Sequence, residues 1–199
     1  MPGAMPPLVY VVRHGETDWN VEYRLQGQAD IDLNATGRRQ AAENGRRLAA
    51  LISDPAAFDF VASPMLRTRH TMELARAAMG LDPQAYRTDP RLVEMNFGDW
   101  QGFTFAELEA RYPGTTRERQ LDKWDFVPPG PDSESYEMLL VRVRPFFEAL
   151  SHDTVCVTHG GVIRALFRLF GGLTKDEAAT VDTPQDKVLR ISNGRLEWV

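Results

Sequence analysis

The 199-residue sequence contains one cysteine, four histidines and no apolar run long enough to cross a membrane. The single cysteine, Cys156, excludes an internal disulfide and fits a reducing compartment. Its position inside an apolar run indicates packing in the core rather than reactivity. Because cysteine pairs and acidic clusters with ligand spacing are also absent, the sequence predicts no metal site.

The charge of the chain argues against a nucleic-acid or membrane partner. Its net charge is −5 and it has no lysine-rich tract, whereas nucleic-acid-binding surfaces are strongly basic. Arginines stand beside two histidine-containing loops, which favours a local pocket for a small anion. A Gly-x-x-x-x-Gly-Lys loop is absent, which argues against nucleoside triphosphate chemistry, and we expect no cofactor.

The composition is ordinary for a globular protein, with 43% hydrophobic and 26% charged residues. The length suits one domain, which we expect over residues 8–199. Residues 1–7 hold three prolines and no basic residue, which predicts a loose tail rather than a signal peptide. We therefore expect a cytoplasmic protein that is a monomer or a homodimer and acts on a small molecule.

Strand-like and helix-like segments alternate along the chain. Apolar runs predict strands over 8–12, 58–62 and 154–158, and a final hairpin joins 187–191 to 195–199. Helical periodicity predicts helices over 35–51, 64–79, 134–150 and 160–170. This alternation predicts an α/β fold, a three-layer sandwich with a mainly parallel sheet and helices on both faces.

Three polar residues are predicted to cap helices: Asn34, Ser63 and Ser133. Ser63 precedes a proline, and proline is common at the first helical position. The segment over residues 87–130 is different, because it is rich in aromatics, glycine and proline and predicts only one short helix, near 105–111. We expect this segment to form a small lid insertion over the functional site.

The most informative motif is Arg13-His14-Gly15, which directly follows the apolar run over 8–12. A strand that ends in a tight loop would carry both side chains to its carboxyl end, where open α/β sheets bind their ligands. The planar donor fork of arginine matches a phosphate, and a neutral histidine can act as a nucleophile. Together the two residues suggest phosphoryl transfer through histidine.

Two further strand-to-helix junctions repeat this layout. One apolar run leads into His159 and Gly160, and another leads into Ser63 and Arg67. Because glycine has no Cβ, the backbone N–H groups that start the next helix can approach an anion. Glu94 stands within the expected lid and supplies a carboxyl group for proton transfer.

These motifs, in this order, resemble the histidine phosphatase superfamily, in particular the branch that includes the cofactor-dependent phosphoglycerate mutases. The resemblance extends from about residue 8 to the C-terminus. It rests on Arg-His-Gly-Glu-Thr from residue 13, Gln-Gly from residue 26, Ser-Pro-x-x-Arg from residue 63, Glu-x-x-x-Gly-x-Trp from residue 94 and His-Gly from residue 159.

The resemblance implies a role for each residue of the expected site. His14 becomes phosphohistidine, and Arg13 and Arg67 hold the oxygens of the transferring phosphoryl group. His159 faces His14 across the phosphate and stabilises the transition state, while Glu94 is the general acid that protonates the leaving oxygen. Further phosphate-binding residues are expected at Thr17, Asn20, Gln26, Gly27 and Gly160.

Residue types alone leave several alternatives open. Arg67 is also compatible with a solvated position on the surface of its helix. Glu16, just after the expected nucleophile, competes with Glu94 for the role of acid. A structural role is equally open for three polar side chains, Asn20, Gln26 and Glu134.

Three functions are compatible with this pattern. The first is a metal-independent phosphomonoester hydrolase that acts on a small phosphorylated metabolite through phosphohistidine. The second is phosphoglycerate mutase-type phosphoryl transfer, but the mutases carry Glu-Arg-His-Tyr-Gly where this chain has Glu-Met-Asn-Phe-Gly from residue 94, which favours the phosphatase. The third is an inactive module that binds a phosphorylated ligand, and the intact set of catalytic residue types argues against it.

Overall fold

The computed structural model describes residues 7–199, so the tail expected over residues 1–7 lies, apart from Pro7, outside the described part. Six strands form one sheet in the order β3-β2-β4-β1-β5-β6. Their bounds are Val9–Arg13 (β1), Asp59–Ala62 (β2), Arg87–Thr88 (β3), Thr154–Thr158 (β4), Val188–Ser192 (β5) and Arg195–Trp198 (β6). Strands β1 to β4 are parallel, and only the β1–β5 and β5–β6 pairs are antiparallel, which confirms a mainly parallel sheet.

Eight α-helices surround the sheet within the described residues. They are Asp18–Val21 (α1), Ala35–Leu51 (α2), Leu66–Ala78 (α3), Phe105–Arg111 (α4), Thr115–Leu121 (α5), Tyr136–Glu148 (α6), Gly160–Phe170 (α7) and Lys175–Thr180 (α8). Short 3₁₀ turns lie at Pro55–Ala57, Pro90–Leu92 and Gly98–Trp100. None of the helices in residues 7–199 is long and apolar enough to cross a bilayer.

The alternation of side chains along β1 explains the layers. Val9 and Val11 point to the face where α6 and α7 pack, whereas Tyr10 and Val12 point to the face covered by α2 and α3. All four side chains are buried, which is typical of a central strand covered on both faces. The predicted three-layer α/β sandwich is therefore confirmed.

One predicted helix cap and the predicted hairpin turn follow from local chemistry and are confirmed. Asn34 caps α2, because its side-chain oxygen accepts a hydrogen bond from the backbone N–H of Gly37 at 2.9 Å. Asn193 and Gly194 join β5 to β6 with φ angles of 49° and 77°, the positive values that a tight hairpin turn requires.

The two predicted serine caps are wrong. Helix α3 begins after Met65 without a side-chain cap, because the hydroxyl of Ser63 is bonded to a distant side chain, described below. Helix α6 is capped by Ser135, while the Ser133 hydroxyl donates to the carbonyl of Gly130 at 2.8 Å. A tertiary contact takes the hydroxyl of Ser63, and a local turn takes that of Ser133.

The register of the two central strands brings the two histidine loops together. Strands β1 and β4 are adjacent and parallel, and Arg13 is paired with Thr158. The next residue on each strand is a histidine, so His14 and His159 lie side by side at the carboxyl edge of the sheet. This edge is where ligands bind in open α/β folds.

The segment over residues 87–130 begins as part of the sheet. Arg87 and Thr88 form the short edge strand β3, which pairs with β2 and was not predicted. The rest of the segment contains α4, as expected, and α5, which was not predicted. Trp100 is fully buried in it and packs 5.2 Å from the ring of Phe126.

Candidate active site

His14 is held as a neutral imidazole at the end of β1. The ring is 2% exposed, and its Nδ1 atom lies 2.8 Å from the carbonyl oxygen of Gly15. Because a carbonyl only accepts hydrogen bonds, Nδ1 carries the proton and the lone pair on Nε2 is free. Burial lowers the pKa of His14 well below its usual value, and the charges of Arg67 and Arg13 lower it further. The geometry thus supplies a nucleophilic nitrogen at neutral pH.

A side chain that the sequence did not single out supports this loop. Gln185, near the C-terminal hairpin, donates through Nε2 to the carbonyl of His14 at 3.0 Å and to the amide oxygen of Asn20 at 3.1 Å. A Cβ on Gly15 would lie 2.2 Å from the carbonyl oxygen of Gly37, so the loop passes too close to α2 for any side chain there. No motif marks Gln185, because its partner is 171 residues away.

His159 faces His14 with a separation of 5.3 Å between ring centroids. It is fully buried, and its Nε2 atom lies 2.8 Å from the hydroxyl of Ser63. Its Nδ1 atom is also buried and has no hydrogen-bond partner within residues 7–199. Burial lowers the pKa of His159 well below its usual value, and the charge of Arg67 acts in the same direction. The ring therefore has one nitrogen bonded to serine and one without a partner in the described residues.

Arg67 is fully buried, which rules out the solvated alternative. Its guanidinium donates to the carbonyl of Ala29 at 2.8 Å and to that of Gly27 at 2.7 Å. Its Nε atom has no partner in the described part of the chain. Burial lowers the pKa of Arg67 to about 10. Two of the five donors thus position the group, and the others are available to an anion.

Arg13 is the second guanidinium of the site. It donates from Nη1 to the carbonyl of Thr183 at 2.7 Å, and its buried Nε atom has no partner among the described residues. Burial lowers the pKa of Arg13. Neither Arg13 nor Arg67 forms an ion pair with a carboxylate of residues 7–199. Arg67 is buried and Arg13 half-buried, and both lack an ion pair although the charge of Glu94 acts on them, so the two guanidiniums favour an anion between them.

All of these groups except His159, which lies behind the wall beside His14, line a cavity of about 140 Å³. His14, the two arginines and Glu94 line it, together with Tyr136 from α6. Larger surface grooves exist, such as the one beside Asp59 and Arg76, but they hold no comparable set of groups. Residues 7–199 contain no cluster of three or more His, Cys, Asp or Glu side chains suited to a metal.

Backbone N–H groups on two elements hold the Glu94 carboxylate. Its Oε1 accepts from the N–H of Met95 at 2.9 Å, and its Oε2 accepts from the N–H of Gly161 at 3.0 Å. A Cβ at Gly161 would lie 2.2 Å from Oε1, so only glycine leaves room for the carboxylate there. Glu16 is not part of the cavity wall, and its carboxylate accepts from Asn34 on α2 at 3.0 Å. Of the two competing acids, the structure brings only Glu94 to the cavity.

An ion pair fixes the backbone around Glu94. Arg142 on α6 donates to three carbonyl oxygens of the segment 91–94 at 2.7, 3.0 and 3.3 Å. Glu134 binds Arg142 at 2.7 Å and accepts from the N–H of Asn96 at 3.0 Å. The role of Glu134, open from the sequence, is thus to anchor this segment rather than to line the cavity.

The remaining expected residues divide into two groups. Asn20, Gln26, Gly27 and Gly160 line the cavity. Thr17 does not, because it is fully buried as the N-cap of α1, where its side chain and that of Asn20 form reciprocal bonds. The amide oxygen of Asn20 accepts from Thr17 and Gln185, which leaves its NH₂ group as the donor at the cavity wall.

A sequence model described as the histidine phosphatase superfamily (branch 1) matches residues 9–198. The chain belongs to the histidine phosphatase superfamily. This confirms the family that the motifs indicated. The match covers both histidine loops and the segment that carries Glu94.

Relatives of this chain include both phosphatases and mutases. It is 34% identical over 173 residues to the glucosyl-3-phosphoglycerate phosphatase of Mycobacterium tuberculosis, covering 78% of this chain and 71% of that protein. It is 29% identical over 188 residues to the 2,3-bisphosphoglycerate-dependent phosphoglycerate mutase of Cytophaga hutchinsonii, covering 88% and 83%. The solved structure of a mycobacterial glucosyl-3-phosphoglycerate phosphatase in complex with VO₃ has a TM-score of 0.79 at 28% identity, covering 97% of this chain and 96% of that one.

Proposed function

We propose that this protein hydrolyses small phosphomonoesters without a metal ion, through a phosphohistidine formed on His14. The observation that supports this most is the pairing of a neutral, buried imidazole with two guanidiniums, the buried Arg67 and the half-buried Arg13, which form no ion pair with a carboxylate of residues 7–199. Such a site stabilises a phosphoryl group whose charge is spread over its oxygens. The small cavity suits a small phosphorylated metabolite.

In the first step, Nε2 of His14 attacks phosphorus in line with the leaving oxygen. A P–N bond forms while the ester P–O bond breaks, and the protonated carboxyl of Glu94 gives its proton to the leaving oxygen. Arg13 and Arg67 neutralise the oxygens of the transferring group in place of a metal ion. The proton stays on Nδ1, and its hydrogen bond to the Gly15 carbonyl stabilises the imidazolium that forms.

In the second step, the Glu94 carboxylate takes a proton from a water molecule, whose oxygen attacks phosphorus. The P–N bond breaks, inorganic phosphate is released, and His14 returns to its neutral form. A mutase would instead pass the phosphoryl group to a second hydroxyl of the ligand. The two activities can be distinguished by measurement. A phosphatase releases one inorganic phosphate for each substrate molecule consumed, whereas transfer to a second hydroxyl releases none.

Ser63 sets the tautomer of His159 in this mechanism. We assign the Ser63 hydroxyl, 2.8 Å from Nε2, as the donor, which keeps the proton of the neutral ring on Nδ1, the ring nitrogen without a partner in residues 7–199. We expect Ser63→Ala to lower kcat for p-nitrophenyl phosphate about 10-fold, the loss of one oriented hydrogen bond. The matching readout is the ¹⁵N spectrum of His159, which should show Nδ1–H in the wild type and a mixed tautomer in the variant. A ring protonated on Nε2 in the wild type would contradict this role.

Activity toward p-nitrophenyl phosphate should survive EDTA, because the arginines and His159 supply the positive charge and donors that a metal would bring. Orthovanadate should inhibit competitively, since it adopts the five-coordinate geometry of the transferring phosphoryl group, and a related phosphatase has been solved with VO₃. The measurement is steady-state release of p-nitrophenol with and without each compound. Loss of activity in EDTA that Mg²⁺ or Zn²⁺ restores would disprove metal independence.

A further inference from the structure

The first turn of helix α2 lies directly against the backbone that follows His14. A Cβ built on Gly37 would lie 2.1 Å from the carbonyl oxygen of Glu16 and 2.5 Å from its nitrogen. Any side chain at Gly37 would therefore push the helix away from the loop. Because glycine stands there, the helix reaches the peptide between Gly15 and Glu16 at van der Waals distance.

Gln40 lies one turn further along α2 than Gly37, so the two residues share a face of the helix. Its side-chain oxygen, Oε1, accepts a hydrogen bond from the backbone N–H of Glu16 at 2.8 Å. Because a backbone N–H only donates, the oxygen of the amide and not its NH₂ group faces the loop. Gln40 is half-buried and does not line the cavity. Its contact is thus with the loop that carries the nucleophile and not with the space for a ligand.

The peptide that Gln40 holds also carries the hydrogen-bond acceptor of His14. The N–H of Glu16 and the carbonyl of Gly15 belong to one planar amide group. The N–H end donates to Gln40, and the carbonyl oxygen at the other end lies 2.8 Å from Nδ1 of His14. Linked hydrogen bonds polarise one another, so the bond to Gln40 makes that carbonyl a stronger acceptor. Gln40, the peptide and the imidazole therefore form a hydrogen-bond chain.

The preceding peptide of the loop has a different partner. The N–H of Gly15 donates to Oγ1 of Thr71, on α3, at 3.0 Å. This contact also fixes the loop, but it is made to the amide before the one whose carbonyl faces Nδ1 of His14. Thr71 and Gln40 each accept one hydrogen bond from successive N–H groups, and only Gln40 belongs to the hydrogen-bond chain. The two residues therefore allow a matched comparison.

We propose that Gln40 is a positioning residue for the nucleophile and acts on His14 through the peptide between Gly15 and Glu16. It fixes the plane of that peptide and strengthens its carbonyl, which keeps the proton on Nδ1 and the lone pair on Nε2. This role rests on the proposed function, in which Nε2 attacks phosphorus. The ring becomes an imidazolium during the attack, and a charged donor forms a stronger hydrogen bond. The hydrogen-bond chain therefore stabilises the transition state more than the resting enzyme.

Gln40→Met keeps the length of the side chain and removes the acceptor. We expect kcat/KM for p-nitrophenyl phosphate, which reports formation of phosphohistidine, to fall about 3–10-fold, the effect of one hydrogen bond. Gln40→Glu keeps an oxygen acceptor in the same place and should retain most of the wild-type kcat/KM. An equal loss in both variants, or a wild-type value in Gln40→Met, would overturn the role.

NMR spectra of the ¹⁵N-labelled resting protein test the hydrogen-bond chain without turnover. The Nδ1–H proton of His14 should move upfield in Gln40→Met, because the carbonyl accepts more weakly, and stay near its wild-type position in Gln40→Glu. Thr71→Val also removes one loop acceptor, so it should lower Tm but leave this proton in place. A shift of the same size in Thr71→Val would indicate general loosening of the loop and contradict the proposal. If the wild type hydrolyses no phosphomonoester, the proposed function fails, and the spectra still decide whether Gln40 acts on His14.

Discussion

Replacing His14 with alanine should abolish turnover, with a loss in kcat of at least about 10⁴-fold, because the covalent route disappears with its nucleophile. The change falls in a loop at the edge of the sheet, so the fold should persist. Wild-type protein incubated with a ³²P-labelled phosphomonoester and quenched in alkali should carry a label that is stable in base and labile in acid. The label should be absent from His14→Ala.

The control for this experiment is another histidine of the same chain. His70 lies on α3, where Nδ1 is 2.6 Å from an Asp32 carboxylate oxygen, and it does not line the cavity. His70→Ala should therefore keep both turnover and label. Label that persists in His14→Ala, or disappears in His70→Ala, would mean that the phosphoryl group is carried by a different residue.

Replacing Glu94 with glutamine should lower kcat for alkyl phosphates by about 10²–10⁴-fold, because the amide cannot give a proton to the leaving oxygen. The loss should be much smaller for p-nitrophenyl phosphate, whose leaving group needs little protonation, as long as formation of phosphohistidine limits the rate. A series of aryl and alkyl phosphates of increasing leaving-group pKa measures this dependence. The slope of log kcat against that pKa should be steeper in the variant.

Glu16→Gln is the matched comparison, since Glu16 is two residues from the nucleophile but bonded to Asn34 instead of facing the cavity. It should show no dependence on the leaving group. In Glu94→Gln, one of the two backbone donors, Met95 or Gly161, loses its acceptor, so a modest fall in Tm is expected alongside. A leaving-group signature in Glu16→Gln and near wild-type rates in Glu94→Gln would show that the acid is misassigned.

Local signals predicted the fold well, because strand period, loop glycines and the Asn34 cap depend on neighbours in sequence. The predicted Ser63 cap failed for the opposite reason. Ser63 is 96 residues from His159, and this buried contact outcompetes a helix N-terminus two residues away. Helix α5 went unpredicted because Thr115–Leu121 is almost entirely polar and has no apolar stripe to reveal its period.

The same difference between local signals and contacts distant in sequence applies to the candidate site. Motifs placed His14, His159 and both arginines, since each follows a strand whose neighbours the sheet brings together. They gave no indication of Gln185 or Arg142, whose partners are distant in sequence and whose task is to hold backbone rather than to contact a ligand. Residue type could not separate Glu94 from Glu16, because that distinction depends on which carboxylate reaches the start of α7.

The first turn of α7 positions several groups of the candidate site at once. His159 precedes it, the N–H of Gly161 holds the acid, and Arg164 faces the cavity one turn later. A substitution that shifts this turn therefore displaces His159 and the contact to Glu94 together. The lid helices α4 and α5 make no such contacts. Substitutions in these helices are therefore the expected way to change the range of substrates, in natural evolution or in a directed-evolution library.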